Sequence, residues 1–288
     1  MSRVVYVNGA YKPYREAFIH AEDRGFQFAD AVYEVIEVLG GALVDTTRHL
    51  ERLDRSLGEL KIGKPMSRAA LLHVIGETLH RNRVDDGSVY IQVSRGASGA
   101  RDFAFPPQSV RPTLVVIARS QSQAKIAATA EDGISVVSQP DNRWDRCDIK
   151  TVMLLPACLA KDKAIATGAR EAWFVDEQGF VTEGASSNAW IVTRDGTLVT
   201  RQTDTRILGG ITRRTVLDAA QACGLSVEIR AFSLSEAKAA REAFLTAATN
   251  TVMPIVAIDG ESLGNGKPGF ITLRLRAAFH GVAEVSNA

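Results

Sequence analysis

Three stretches of this chain carry side chains suited to chemistry. In "RWDRCDIKTVMLLPACLA" (143–160), Lys150 stands directly against Val152, Met153, Leu154 and Leu155. Most lysines so placed bury the stem and keep the charged head in water. A lysine held at the lip of an apolar segment has a second use, because desolvation favours the neutral, nucleophilic amine. In "GGIT" (209–212), two glycines let the backbone approach a ligand closely. A helix starting there offers unpaired N–H groups and the positive end of its dipole, which are the parts of a phosphate cup. The same letters also describe a plain glycine turn into a helix. In "VTEGASSNAWIV" (181–192), Glu183 closes an apolar-alternating stretch ahead of a hydroxyl-rich turn. It reads either as an exposed strand-end charge or as the partner of a protonated ring nitrogen, with Ser186, Ser187 and Asn188 lining the same site.

Those residues need elements to hold them. "AVYEVIEVLGGALVD" (31–45) predicts two strands around the Gly40-Gly41 turn. Leucines at 50, 53, 57 and 60 give 46–62 a helical period, with Thr46 or Thr47 as its cap. A second helix is expected over 67–84, capped by Ser67, followed by strands at 88–96 and 111–120. The polar stretch "SQSQAK" (120–125) has neither period and reads as a linker. The cycle then restarts. It predicts a strand at 133–140, a helix at 154–168, a run of strands over 171–200 and a helix over 211–224. Strand 226–232, a short helix at 233–241, mainly strand over 242–260 and a closing helix at 270–282 follow. The expected fold class is therefore mixed α/β in two domains, 1–120 and 121–288.

The bulk numbers exclude several function classes. Lys plus Arg number 34 against 33 Asp plus Glu, so a net charge of +1 supplies no field for nucleic acid or an anionic membrane. No stretch approaches the roughly 18–20 apolar residues of a membrane span, and the N-terminus lacks the apolar core of a signal peptide. Three cysteines without CxxC spacing argue against a disulfide framework. Five scattered histidines show no metal-ligand spacing. The expectation is a cytoplasmic soluble protein with no metal site and no nucleic-acid or membrane partner.

A nucleophilic lysine, a phosphate cup and a buried carboxylate are together what pyridoxal phosphate requires. The lysine binds its carbonyl carbon, the cup its phosphate, and the carboxylate keeps the ring nitrogen protonated. The sequence resembles the class IV aminotransferases, the pyridoxal-phosphate enzymes of fold type IV, and within them the D-amino acid branch. The resemblance rests on "EDRGFQFADAVYEV" (22–35), "HLERL" (49–53), "RWDRCDIKT" (143–151), "VTEGASSN" (181–188), "GGITRR" (209–214) and, more loosely, "FLTAATNTVMPI" (244–255).

The resemblance implies these roles. Lys150 is the Schiff-base lysine and proton shuttle, and Glu183 pairs with the pyridine nitrogen. Arg52 binds phosphate with the amides of Ile211 and Thr212 and the Thr212 hydroxyl. Leu208 packs on the ring and Ser187 lines the cofactor. The family threonine of the second phosphate strand falls on Ala248, with Thr249 next to it. Tyr33 lines the substrate side, with Glu34 behind it near the lysine. Arg101 receives the substrate carboxylate, with Arg24 as the alternative cation. Where the D-amino acid members carry Arg-x-His, this chain has Arg101-Asp102-Phe103. The implied protein is a homodimer that moves an amino group from a D-amino acid to a 2-keto acid by a ping-pong route. An (R)-selective amine transaminase, a branched-chain aminotransferase and aminodeoxychorismate lyase are the rival readings within the fold.

Overall fold

The structure is a computed structural model that describes residues 3–99 and 101–287. The chain divides into two compact units. One comprises Met1–Gln123, Ile149–Met153 and Glu284–Ala288, the other Ala124–Asp148 and Leu154–Ala283. The sequence expectation of a division at 120/121 placed 149–153 and 284–288 with the second unit. Backbone pairing puts 149–153 and 284–286 on the first.

The first unit is built on a wholly antiparallel seven-stranded sheet in the order Val285–Ser286, Ala42–Val44, Ala31–Leu39, Gly87–Ser94, Thr113–Ser120, Val4–Val7, Ala10–Pro13. Gly40 and Gly41 turn between two of these strands with φ of 57° and 82°, the left-handed pair that a tight hairpin with the sheet's own twist demands. Helices Thr46–Glu59 and Arg68–Asn82 pack on the sheet through Leu50, Leu53, Leu57, Leu71, Ile75 and Leu79, all nearly solvent-free. Ser67 caps the second helix by accepting from Ala70 N. The first helix has no side-chain cap. Its N-cap is Asp45 at φ 55°, and Thr47 instead donates through N and Oγ1 to Glu284.

The second unit holds a mixed nine-stranded sheet. Ile134–Pro140 runs parallel to both Glu171–Val175 and Thr251–Ile258, and Leu198–Thr200 runs parallel to Val227–Ile229. The remaining pairs, including Asn188–Val192 with Glu242–Ala247, are antiparallel. Helices Leu155–Ala166, Ile211–Ala222 and Phe270–Val282 belong to this unit. Its core stacks Trp190 on Phe244 at 5.3 Å and sets Trp173 edge-on to Phe232 at 6.1 Å. The expected linker "SQSQAK" is not one. The strand runs to Ser120, and a helix missed by the periodicity, Gln123–Asp132, follows almost at once. Its apolar face is mostly alanine, too weak to register as a period.

Candidate active site

In the first unit, Ile149–Met153 lies along the edge of strand Ala31–Leu39. Tyr33 N donates to Lys150 O (3.0 Å), Val152 N donates to Ala31 O (3.1 Å), and Thr151 bridges Val32. This pairing fixes the direction of the lysine. Its Nζ sits 4.2 Å from the centre of the Tyr33 ring, and its backbone N donates to Ser56 Oγ (3.4 Å). The sequence put Lys150 directly against an apolar run, most of which the structure leaves at the surface. Ile149 and Thr151 are buried, whereas Met153, Leu154 and Leu155 are exposed. The side chain of Lys150 is half-buried.

Tyr33 stacks on Tyr90 at 5.6 Å, and Tyr90 donates to Gln92 (2.6 Å). Tyr33 pairs in register with Gln92, so all three side chains share one face of the sheet. Burial, helped by Tyr33, pushes the Tyr90 phenol up to about 12, so it remains a neutral donor. Sequence reasoning missed Tyr90; its period-2 spacing from Gln92 was the available signal.

Alternation turns Glu34 to the opposite face. It is fully buried and accepts from Arg52 Nε (2.8 Å) and Nη2 (2.8 Å), with His49 Nδ1 at 2.8 Å. Glu34 was expected behind Tyr33 near the lysine, grouped with the substrate-binding residues; it is buried against helix Thr46–Glu59. Burial pushes its carboxyl up, yet the Arg52 charge and the hydrogen bonds from Arg52 and His49 prevail and hold it at about 2. His49 is lowered by its own burial, which outweighs the pull of Glu34. Glu34 thus orients Arg52 rather than touching a ligand. His49, which was missed, lies three residues before Arg52 on the same helical face.

Arg101 is exposed and rests over aromatic rings, 4.8 Å from the Phe28 centroid and 5.3 Å from Phe103. Phe103 is 77% exposed and lies 5.5 Å from Phe28. Its place in the loop supplies an apolar wall and no donor. Arg24, the alternative cation, is buried with its guanidinium committed elsewhere.

In the second unit, Glu183 is buried and three donors converge on it. Arg143 Nη1 makes a short ion pair with Oε1, while Asn188 Nδ2 (3.0 Å) and Leu208 N (3.1 Å) donate to Oε2. Three donors suit an anionic carboxylate. Arg143 is itself held by Asp141, which accepts at 2.8 Å and 2.9 Å. Burial opposes both charges of that pair, but the contacts prevail: Arg143 is raised and Asp141 lowered. Arg143 was missed, although it opens the quoted lysine motif. Forty residues separate it from Glu183, and no local period links them. Burial, partly countered by Arg143, pushes the nearby Cys147 thiol up to about 12, which makes it no rival nucleophile.

Helix Ile211–Ala222 begins at Gly210, and no cap side chain accepts from its first N–H groups. A Cβ on Gly210 would stand 1.9 Å from Asn188 Oδ1, so the turn and the Glu183 donor are packed as one piece. Thr212 is buried in the first turn. Uncapped N–H groups, a glycine approach and a hydroxyl are the donor set that a phosphate ester fits. Ser186 and Ser187 donate to the buried Glu171 at 2.6 Å and 3.4 Å. Ala248 and Thr249 lie half-buried in the turn between Glu242–Ala247 and Thr251–Ile258. Arg276 braces that turn by donating to Asn250 O, Thr251 Oγ1 and Val252 O.

The family model for amino-transferase class IV matches residues 31–258. The chain is 35% identical over 277 residues to the D-alanine aminotransferase of Staphylococcus haemolyticus, covering 96% of both chains. It is also 35% identical to that of Bacillus licheniformis, covering 95% of both. Among solved structures, the Escherichia coli branched-chain amino acid aminotransferase superposes with a TM-score of 0.89 at 21% identity, covering 98% of this chain and 95% of that one. The branched-chain aminotransferase of the archaeon Thermoproteus uzoniensis, solved with norvaline, gives 0.84 at 23% identity, covering 99% of both chains. The chain belongs to the class IV aminotransferases, and its fold is that of the branched-chain members.

Proposed function

We propose that the protein is a pyridoxal-phosphate-dependent transaminase that takes the amino group of a D-amino acid, D-alanine or one like it, and passes it to a 2-keto acid. The observation that carries the reading is Lys150, held beside Tyr33 by strand pairing within the motif "RWDRCDIKT". The relatives named D-alanine aminotransferase match almost the whole chain and favour the D-amino acid branch.

When bound, the cofactor supplies a carbonyl for the amino group and an electron sink for cleavage at Cα. Lys150 Nζ holds the cofactor covalently between turnovers and carries the proton to and from substrate Cα. Glu183 accepts a hydrogen bond from the protonated ring nitrogen, kept anionic and in place by Arg143, Asn188 and Leu208 N. Leu208 packs against the ring and Ser187 lines it. By the resemblance Arg52, oriented by Glu34, would serve the phosphate, and on the second unit the Ile211 and Thr212 amides, the Thr212 hydroxyl and the backbone at Ala248 and Thr249 would supply phosphate donors. Tyr33 walls the substrate side, and Arg101 meets the substrate carboxylate.

Phe103 supports a second activity. An exposed phenyl in place of the family imidazole leaves the loop with one cation and an apolar wall, which suits a carboxylate-free aromatic (R)-amine as a slower donor. The active form is a homodimer, supported by exposed apolar side chains on each unit. Phe18, Phe26 and Met153 stand on the first, and Leu155, Leu159 and Ile165 on the second. Placement in the cytoplasm fits three cysteines free of disulfides. No helix among the described residues is long and apolar enough to cross a membrane.

The test is a panel of D- and L-amino acids and (R)- and (S)-amines, read by pyruvate formed or consumed, with mass determined in solution. Turnover of D-alanine above its L-enantiomer by a dimer is the expected result. Exclusive use of L-valine and L-leucine would sink the D-amino acid reading.

A further inference from the structure

The loop 101–112 has no regular secondary structure, and Arg101, Asp102, Phe103 and Ala104 are all exposed. Its hold on the protein is nevertheless a buried one. Arg24 is 3% exposed, yet Nη1 donates to Asp102 O (2.6 Å) and Ala104 O (3.3 Å) while Nη2 reaches Phe103 O (3.5 Å). Its Nε donates to Asp30 Oδ2 (2.8 Å). Asp30 also receives Arg95 through Nε (2.7 Å) and Nη2 (2.9 Å). Arg95 in turn donates to Leu60 O (2.8 Å) and Lys61 O (3.0 Å), and its guanidinium lies 3.8 Å from the Phe105 centroid.

The backbone of Arg24 is pinned as well. Its N donates to Gly96 O (3.0 Å), and the preceding Asp23 accepts from Gly25 N and Ser94 Oγ, both at 2.8 Å. The Arg24 guanidinium also sits 4.6 Å from the centre of Phe28, the ring that supports Arg101 at 4.8 Å. A planar fork with donors fixed in direction sets the place of the carbonyls it serves. Each end of this fork is occupied, so Arg24 has no edge to offer a substrate carboxylate.

We infer that Arg24 is the positioning residue for carboxylate recognition: anchored by Asp30 and gripping the carbonyls of residues 102–104, it sets where Arg101 presents its charge. The inference rests on the proposed role of Arg101. A lysine at position 24 keeps the charge but loses the fork, so the loop loses its fixed register while the cofactor residues are untouched.

The test compares the cofactor-loaded parent with Arg24→Lys, Arg101→Ala and the double variant. Donors are D-alanine and (R)-1-phenylethylamine, and hydrogen exchange is followed in the amides of 101–105. Arg24→Lys is expected to raise KM for D-alanine about tenfold, the worth of roughly one hydrogen bond. It should leave kcat and amine turnover unchanged and speed exchange in the loop. The double variant should be no worse toward D-alanine than Arg101→Ala alone. An unchanged KM in Arg24→Lys, or an equal loss with both donors, overturns the positioning role. An unchanged KM in Arg101→Ala overturns the reading of Arg101 itself, and the positioning role with it. Should Arg24→Lys fail to hold cofactor, Asp30→Asn, which loosens the same fork, replaces it and is judged by the same criteria.

Discussion

Glu34→Gln tests whether the buried acid beneath Arg52 is a structural requirement. Glu34 is fully buried, and its carboxyl sits at about 2 against an ordinary 4.5. A fall of that size corresponds to about 3 kcal/mol of folding free energy at neutral pH. The sign follows from the direction. The folded value lies below the unfolded one, so the contribution is complete above pH 4.5 and drains away as pH falls toward 2. Glutamine removes the charge and leaves Arg52 and His49 facing a neutral amide. Breaking one side of a buried ion pair costs about 3–5 kcal/mol, which agrees with the first figure. Trp144, Trp173 and Trp190 all lie in the second unit, so tryptophan fluorescence serves as the control and does not read the loss. Hydrogen exchange of peptides covering 31–39 and 46–59 does. At pH 7 the variant should lose protection there by the equivalent of about 3 kcal/mol, and between pH 4.5 and 2 its stability should fall less steeply than the parent's. Protection equal to the parent at pH 7, or an unaltered acid limb, would refute the claim that Arg52 and His49 stabilise the anion. His49, lowered by burial, adds an earlier loss. Its unfolded form takes up a proton below pH 6.5 and the folded form does not, so stability declines from there as well.

Lys150→Ala should retain the fold and lose turnover, and borohydride should no longer fix cofactor to the chain. Continued fixation would point to Lys161 or Lys163. Glu183→Gln should bind cofactor yet slow the half-reaction. A lost charged hydrogen bond is worth on the order of 1.5–3 kcal/mol, or about 10- to 150-fold in rate, and parent-like single-turnover rates would remove Glu183 from that role. Gly210→Ala drives a methyl onto Asn188 Oδ1. It should weaken cofactor affinity by about tenfold or more, measured by absorbance titration of the apo-protein; unchanged affinity would separate this turn from the phosphate. Phe103→His restores a donor and should shift the kcat/KM ratio of D-alanine to (R)-1-phenylethylamine about tenfold toward the amino acid. An unmoved ratio would show that the loop does not read the carboxylate.

Local order was legible wherever one segment carried its own signal. The hairpin at Gly40-Gly41, the Ser67 cap and the closing helix Phe270–Val282 all follow from turn chemistry, capping and period within a few residues. Lys150 and Glu183 were singled out on the same local ground, each from a contiguous motif. What sequence alone left open is pairing over distance. Glu34 and Tyr33 are neighbours in the chain, and strand alternation sends them to opposite faces, one to Arg52 and His49, the other to Lys150. Arg143 is an ordinary charged residue until the fold carries it 40 positions to Glu183. Arg24 looks like any surface cation until the chain returns 78 residues later and sets Asp102 O against it. Hydrophobic period is a property of consecutive residues and can be read from them. Which buried charge meets which depends on strand register and on the volume left between packed elements, and those exist only once the chain has folded.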